Sequence, residues 1–207
     1  MNIYLIRHGQ TDWNSEHRFQ GVSDVELNDQ GRKEASFARN VLKDTPIDRV
    51  VTSDLKRAKE TATILIGDRD IPLEETEGFR ECHFGKWEGL TFNQITGEYP
   101  EGYHLWRAED MDYKGHEGES PSEFRERIKK HLYEVAGGQD EAVAIVCHAG
   151  VIRMILTEVL CMRTHDRYAF EIDNGSVTKL EYNDEKFRVI FTNHSLRQME
   201  EYHGTNL

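Results

Sequence analysis

The sequence predicts an α/β fold, a mostly parallel sheet flanked by helices on both faces, with an inserted helical and loop cap. Three observations carry that prediction. Short apolar runs alternate with stretches of helical periodicity from the first residues onward. Residues 142–147 form a continuous apolar run and residues 151–160 are apolar nearly all round, the patterns of a strand and a helix that are both buried. Between the early and late strands, residues 84–120 lose both periodicities and fill with glycines and scattered aromatic residues. The 207 residues therefore read as one domain, long enough for a substantial core, with a cap inserted at about 84–120.

The elements follow in order. Residues 2–7 give the first strand, with Tyr4, Leu5 and Ile6 buried. Asn28 or Asp29 can cap a helix in which Ala35, Ala38 and Leu42 share a face. Residues 48–52 give a second strand, and Ser53-Asp54 then reads as the cap of a helix carrying Leu55, Ala58, Ala62 and Leu65. A helix resumes near Ser122, with Phe124, Ile128, Leu132 and Val135 facing inward. Residues 176–182 and 187–192 read as late strands joined by a hairpin at 183–186, and the acidic tail from His194 onward as a surface extension.

Composition excludes several classes of function. A net charge of -12 makes the surface repel nucleic acid and anionic membranes, so an anionic small molecule would need a local basic pocket. No apolar run reaches membrane-spanning length and the amino terminus lacks a signal-peptide pattern, which makes the cytoplasm the expected location. Cys82, Cys147 and Cys161 have neither metal nor redox spacing and fit reduced thiols. The ten histidines include no HExxH or Cys/His ligand pattern, so neither a metal nor another cofactor is expected. Oligomeric state is left open, a homodimer being one arrangement the chain allows.

The chemistry gathers where strands end. Arg7 and His8 follow the first strand, Arg57 lies in the first turn of the helix after the second, and the run 144–147 ends on His148-Ala149-Gly150. If these strands are parallel, two arginines and two histidines meet at one sheet edge, where open α/β sheets bind ligands. A guanidinium can hold phosphate oxygens in a bidentate fork while a neutral imidazole attacks phosphorus. A helix opening near Gly150 would add its positive dipole end.

In chain order, Arg7-His8-Gly9-Gln10-Thr11-Asp12-Trp13-Asn14 is followed by Phe19-Gln20-Gly21 and by Ser53-Asp54-Leu55-Lys56-Arg57-Ala58. Arg80-Glu81 with Phe84-Gly85-Lys86-Trp87-Glu88-Gly89, Gly118-Glu119-Ser120, His148-Ala149-Gly150-Val151 and Asn174-Gly175-Ser176-Val177 complete the series. On these stretches the chain resembles the histidine phosphatase superfamily, in its phosphoglycerate-mutase-like branch, over most of its length. The resemblance implies that His8 is a nucleophile forming a phosphohistidine and that Arg7, Arg57 and His148 clamp the phosphoryl oxygens. It also implies that Glu81 protonates the leaving alkoxide and then activates water, a role calling for a protonated carboxyl at the start. Asn14, Gln20, Gly21 and Ala149 would belong to the substrate site. Fixed cationic donors of this kind stabilise charge spread over a transferring phosphoryl group without reorganisation.

Resemblance also frames the reaction. From 88 to 120 there are eight carboxylates, Glu88, Glu98, Glu101, Glu109, Asp110, Asp112, Glu117 and Glu119, against Arg107 and Lys114. Unless those carboxylates face solvent, that balance disfavours a second anionic group on the substrate and, with the Phe84–Gly89 pattern, favours net hydrolysis of a small phosphomonoester. Such an activity is similar to that of α-ribazole phosphatases or broad-specificity phosphatases, with phosphoserine phosphatases also possible relatives. The alternatives are a cofactor-dependent phosphoglycerate mutase and a non-catalytic module that binds a phosphate ligand. Trp87, Phe92, Tyr99, Tyr103, Trp106 and Tyr113 would either enclose a leaving group or form a small core of their own.

Overall fold

The structure, a computed structural model, describes residues 1–107, 111–114 and 117–204. Glu109 and Asp110 of the charge count lie outside the described residues. The first strand, β1 (Asn2–Arg7), is followed by a short helix α1 (Asp12–Ser15) and by α2 (Asp29–Val41). The side chain of Asn28 caps α2 by accepting from Gly31 N. Then come β2 (Arg49–Ser53), α3 (Lys56–Ile66) and β3 (Leu73–Thr76). Next are α4 (Phe92–Glu98), α5 (Pro100–Arg107) and α6 (Pro121–Ala136), the last opened by a Ser120/Glu123 capping box. The chain closes with β4 (Ala142–Cys147), α7 (Ala149–Val159), β5 (Val177–Asn183), β6 (Lys186–His194) and α8 (Leu196–Gly204).

Six strands make one sheet in the order β3-β2-β4-β1-β5-β6. β3, β2, β4 and β1 run parallel, and β5 and β6 add antiparallel at the far edge. Alternation along β1 divides the core in two. Ile3 and Leu5 pack with Phe124, Ile128 and Leu132 of α6 and Ile152 and Ile155 of α7 on one face. Tyr4 and Ile6 pack with Ala38 of α2 and Ala58, Ala62 and Leu65 of α3 on the other. The chain thus leaves β1 toward one face and β4 toward the opposite face, which opens a crevice at their carboxyl ends. At its edge Gly9 and Gly31 touch backbone to backbone, since a Cβ on Gly9 would lie 2.1 Å from the Gly31 carbonyl oxygen. The β5–β6 hairpin turns through Asp184 and Glu185, both at positive φ, as a two-residue turn requires.

One local expectation is corrected, and two features go beyond the expectations. Leu55, not Ser53-Asp54, is the N-cap of α3 and makes no side-chain cap bond; Asp54 instead pairs with Arg80. β3 has no sequence counterpart among the expected strands because Leu73-Glu74-Glu75-Thr76 lies at the sheet edge and is mostly exposed, so no apolar alternation marks it. The tail from His194 onward is in part ordered, as α8. Among the described residues, 84–120 form α4, α5 and a 3₁₀ turn at Gly85–Trp87, without a strand. Phe84, Tyr99, Tyr103 and Tyr113 pack with Trp87, Ile95 and Trp106 in a separate cluster, whereas Phe92 is exposed. Among the described residues no helix is long and apolar enough to cross a membrane.

Candidate active site

The crevice brings His8, Arg57 and His148 together as predicted. All three are buried, and the two imidazoles stand edge to face with ring centroids 5.1 Å apart. His8 Nδ1 lies 2.7 Å from the Gly9 carbonyl oxygen. A neutral ring therefore donates from Nδ1 and leaves its lone pair on Nε2. Burial, reinforced by the charges of Arg57 and Arg7, holds the His8 pKa well below the ordinary histidine range. The ring is thereby held neutral at physiological pH.

His148 is fixed by Ser53 at the end of β2. Ser53 Oγ accepts from Leu55 N at 3.4 Å and sits 2.9 Å from His148 Nε2. Ser53 is fully buried and, among the described residues, its hydroxyl has no acceptor other than Nε2, so its proton goes there and the histidine proton lies on Nδ1. That nitrogen is buried and has no partner. Burial and the Arg57 charge again keep the ring neutral.

Both arginines are oriented by neutral carbonyls rather than by carboxylates. Arg57 donates to the Ser23 and Gly21 carbonyl oxygens at 2.7 Å each, and Arg7 to the Ile172 carbonyl at 2.6 Å. Burial lowers both pKa values to about 10, which still leaves the guanidinium groups charged at neutral pH. Each Nε is buried without a partner. A buried donor without an acceptor costs about 1–3 kcal/mol, so three such donors near one imidazole favour an incoming anion.

Glu81 lies on the loop after the 3₁₀ turn Glu77–Phe79. Its Oε1 accepts from Cys82 N at 2.9 Å and its Oε2 from Gly150 N at 3.0 Å. The amino end of α7, expected to offer its positive dipole end and free N–H groups to a ligand, holds this carboxyl group. Arg7, Asn14, Glu81, Ala149 and Gly150 line a cavity of about 720 Å³, whereas the buried His8, Arg57 and His148 are not among its lining residues. Asn14 Oδ1 accepts from Thr11 N at 3.1 Å and from Asn174 Nδ2 at 3.2 Å, and Asn174 also donates to the His8 carbonyl.

Gln20 and Gly21 are not part of the cavity wall. Gln20 is buried with Oε1 unpartnered, while Gly21, at φ 54°, presents its carbonyl to Arg57. A Cβ on Gly21 would sit 2.2 Å from Glu88 Oε1, so the loop can approach Glu88 this closely only with glycine there. Glu88 in turn accepts from Val22 N and Ser23 N, fixing the loop whose carbonyls orient Arg57.

The wall holds residues that sequence reasoning passed over. Arg18, Arg153, Arg167 and Arg197 face the cavity, and among the described residues Glu81 is the one carboxylate that lines it. Arg18 is paired with Glu16, and Arg197 with Glu171 and Asp173. Arg167 lies over the Trp106 and Tyr168 rings at 5.0 and 4.4 Å. Arg153 donates only to the Phe170 carbonyl and has no carboxylate partner among the described residues. Helical spacing was the available signal, since Arg153 stands one turn beyond Gly150 on α7. These cations come from outside residues 88–120, and none of the described carboxylates of that segment lines the cavity.

Comparison with known proteins shows the family of the chain. Residues 3–195 match the model of the histidine phosphatase superfamily, branch 1. An uncharacterised phosphatase of Bacillus subtilis, PhoE, is 31% identical over 90% of this chain and 91% of its own. A glucosyl-3-phosphoglycerate phosphatase of Mycobacterium tuberculosis is 37% identical over 76% of this chain and 74% of its own. The crystal structure of the alpha-ribazole phosphatase from Shigella flexneri superposes with a TM-score of 0.86 at 26% identity, covering 93% of this chain and 96% of that one. The chain is a phosphatase of the histidine phosphatase superfamily, branch 1.

Proposed function

We propose that this phosphatase hydrolyses a small organic phosphomonoester through a phosphohistidine on His8, with Glu81 as the proton donor. The observation that carries this reading is a buried, neutral His8 with Nε2 free, beside three buried donors without partners, Arg7 Nε, Arg57 Nε and His148 Nδ1. The Nε2 lone pair attacks phosphorus as the bond to the ester oxygen breaks. The proton of the Glu81 carboxyl group passes to the departing alkoxide, which leaves as an alcohol. Glu81, now a carboxylate, takes a proton from water while the water oxygen attacks phosphorus. The P–N bond breaks, its electrons return to Nε2, and inorganic phosphate leaves. Arg7, Arg57, His148 and Asn14 hold the phosphoryl oxygens through both steps, and the arginines supply positive charge where negative charge spreads.

The cavity is large enough for an organic leaving group, and Phe19, Phe84, Tyr103 and Trp106 give it an aromatic wall. That wall favours leaving groups of the kind released by α-ribazole phosphatases and broad-specificity phosphatases. Arg153 favours a second reading, a leaving group that bears its own anion, as in the ester named for the mycobacterial relative.

A single turnover of labelled ester, quenched in alkali, should leave label on His8 that acid then releases. His8→Ala should carry none. Labelled enzyme in His8→Ala, or bisphosphoglycerate-stimulated interconversion of phosphoglycerates exceeding phosphate release, would overturn the reading.

A further inference from the structure

Arg127, on α6, belongs to none of the stretches that carry the family resemblance, yet it uses all five of its N–H donors next to Glu81. Its Nε and one terminal nitrogen grip both carboxylate oxygens of Glu119 at 2.8 and 2.7 Å. That same terminal nitrogen donates to the Glu81 carbonyl at 3.3 Å. The other donates to the carbonyls of Gly78 and Arg80, both at 3.0 Å, with Glu77 O at 3.4 Å. Glu119 completes the clamp from the other side. Its N donates to the His83 carbonyl at 2.8 Å, and its Oε2 accepts from His83 N at 3.4 Å.

Residues 80–84 are neither helix nor strand, so no regular ladder fixes the backbone that carries Glu81. Arg127 and Glu119 supply what the loop lacks, holding it from residue 77 to residue 83. The ion pair itself is a costly way to tie two elements together, because both groups are largely withdrawn from water and their attraction must first offset desolvation. Only a planar fork reaches a carboxylate and a row of carbonyls together, and a lysine cannot replace it.

We propose that the Arg127–Glu119 pair is a positioning device for the Glu81 carboxyl group, acting on proton donation and not on phosphate binding. This inference rests on the reading of Glu81 as the donor. An alkyl leaving group needs that proton, whereas p-nitrophenolate barely does. A displacement near 1 Å of a reacting group can cost about 100-fold. Loosening the loop is a milder change and should lower the ratio of alkyl to aryl turnover by about tenfold.

The test measures kcat for glycerol 3-phosphate and p-nitrophenyl phosphate in wild type, Glu81→Gln, Arg127→Gln and the double variant. Arg127→Gln should lower the alkyl-to-aryl ratio about tenfold in the wild-type background. In the Glu81→Gln background it should lower that ratio by less than about twofold, because the group it positions is gone. An equal loss on both esters, or the same further loss of ratio in both backgrounds, overturns the inference. A Glu81→Gln enzyme whose ratio matches wild type overturns the donor reading instead. Glu119→Gln removes the other half of the fork and should give the same signature, which keeps the test decisive if Arg127→Gln does not fold.

Discussion

Replacing Gly150 by alanine separates catalysis from folding at one atom. Gly150 is the second residue of α7 and is not at positive φ, so alanine accepts its backbone without strain. A Cβ there would lie 2.2 Å from Glu81 Oε1 and 3.0 Å from its Cδ. Ordinary contact begins at 3.4 Å, so the carboxyl group must retreat by about 1.2 Å and loses its bond from Gly150 N. The retreat is easy for the fold because the obstructing atoms end a flexible side chain. It is costly for the reaction, since a general acid contributes about 10²–10⁴-fold and displacement near 1 Å removes about 100-fold. Alanine is also the better helix former by up to about 1 kcal/mol, which in a chain of this size raises Tm by as much as roughly 2–4 °C. Gly150→Ala should therefore melt at or slightly above the wild-type temperature. It should hydrolyse glycerol 3-phosphate about 100-fold more slowly and p-nitrophenyl phosphate only a few-fold more slowly. Wild-type rates on the alkyl ester would refute the assignment of Glu81, and equal losses on both esters would place the damage at the phosphate instead.

The buried histidines make a pH prediction. Both His8 and His148 have pKa values below their unfolded value, so their contribution to stability is present above about pH 6.5 and is lost as pH falls toward the folded pKa. The wild-type denaturation midpoint should decline between pH 7 and pH 5 more steeply than that of His8→Asn; parallel slopes would contradict this. Because guanidinium groups supply the positive charge at the site, exhaustive chelation should leave the rate intact and vanadate should compete with substrate. Activity lost to chelator and restored by one divalent ion would refute that account. If Arg153 receives a second anion, kcat/KM for 3-phosphoglycerate should exceed that for glycerol 3-phosphate by about tenfold, and Arg153→Gln should bring the ratio near one, since a hydrogen bond to a charged group is worth about 1.5–3 kcal/mol. An unchanged ratio in the variant would remove Arg153 from recognition.

What the sequence disclosed and what it withheld divide along physical lines. β1 and β4 were legible because strands buried on both faces are apolar throughout, and His8 and His148 because each directly follows such a run. β3 was silent for the converse reason, since an exposed edge strand need not alternate. Counting charges in 88–120 overlooked the cations of the cavity because sequence proximity is not spatial proximity. Arg18, Arg153, Arg167 and Arg197 reach the wall from four separate segments. The same holds for the supports of the site. Ser53 sets the tautomer of His148 from a neighbouring strand, Glu88 fixes the loop that orients Arg57, and Arg127 on α6 donates to the backbone that carries Glu81. A group that touches phosphate must be a particular residue at a particular strand end, which leaves a short readable signature. A group that braces it needs only the right donors at the right distance. Many positions in a fold can supply those, so bracing residues become visible only when the chain is folded.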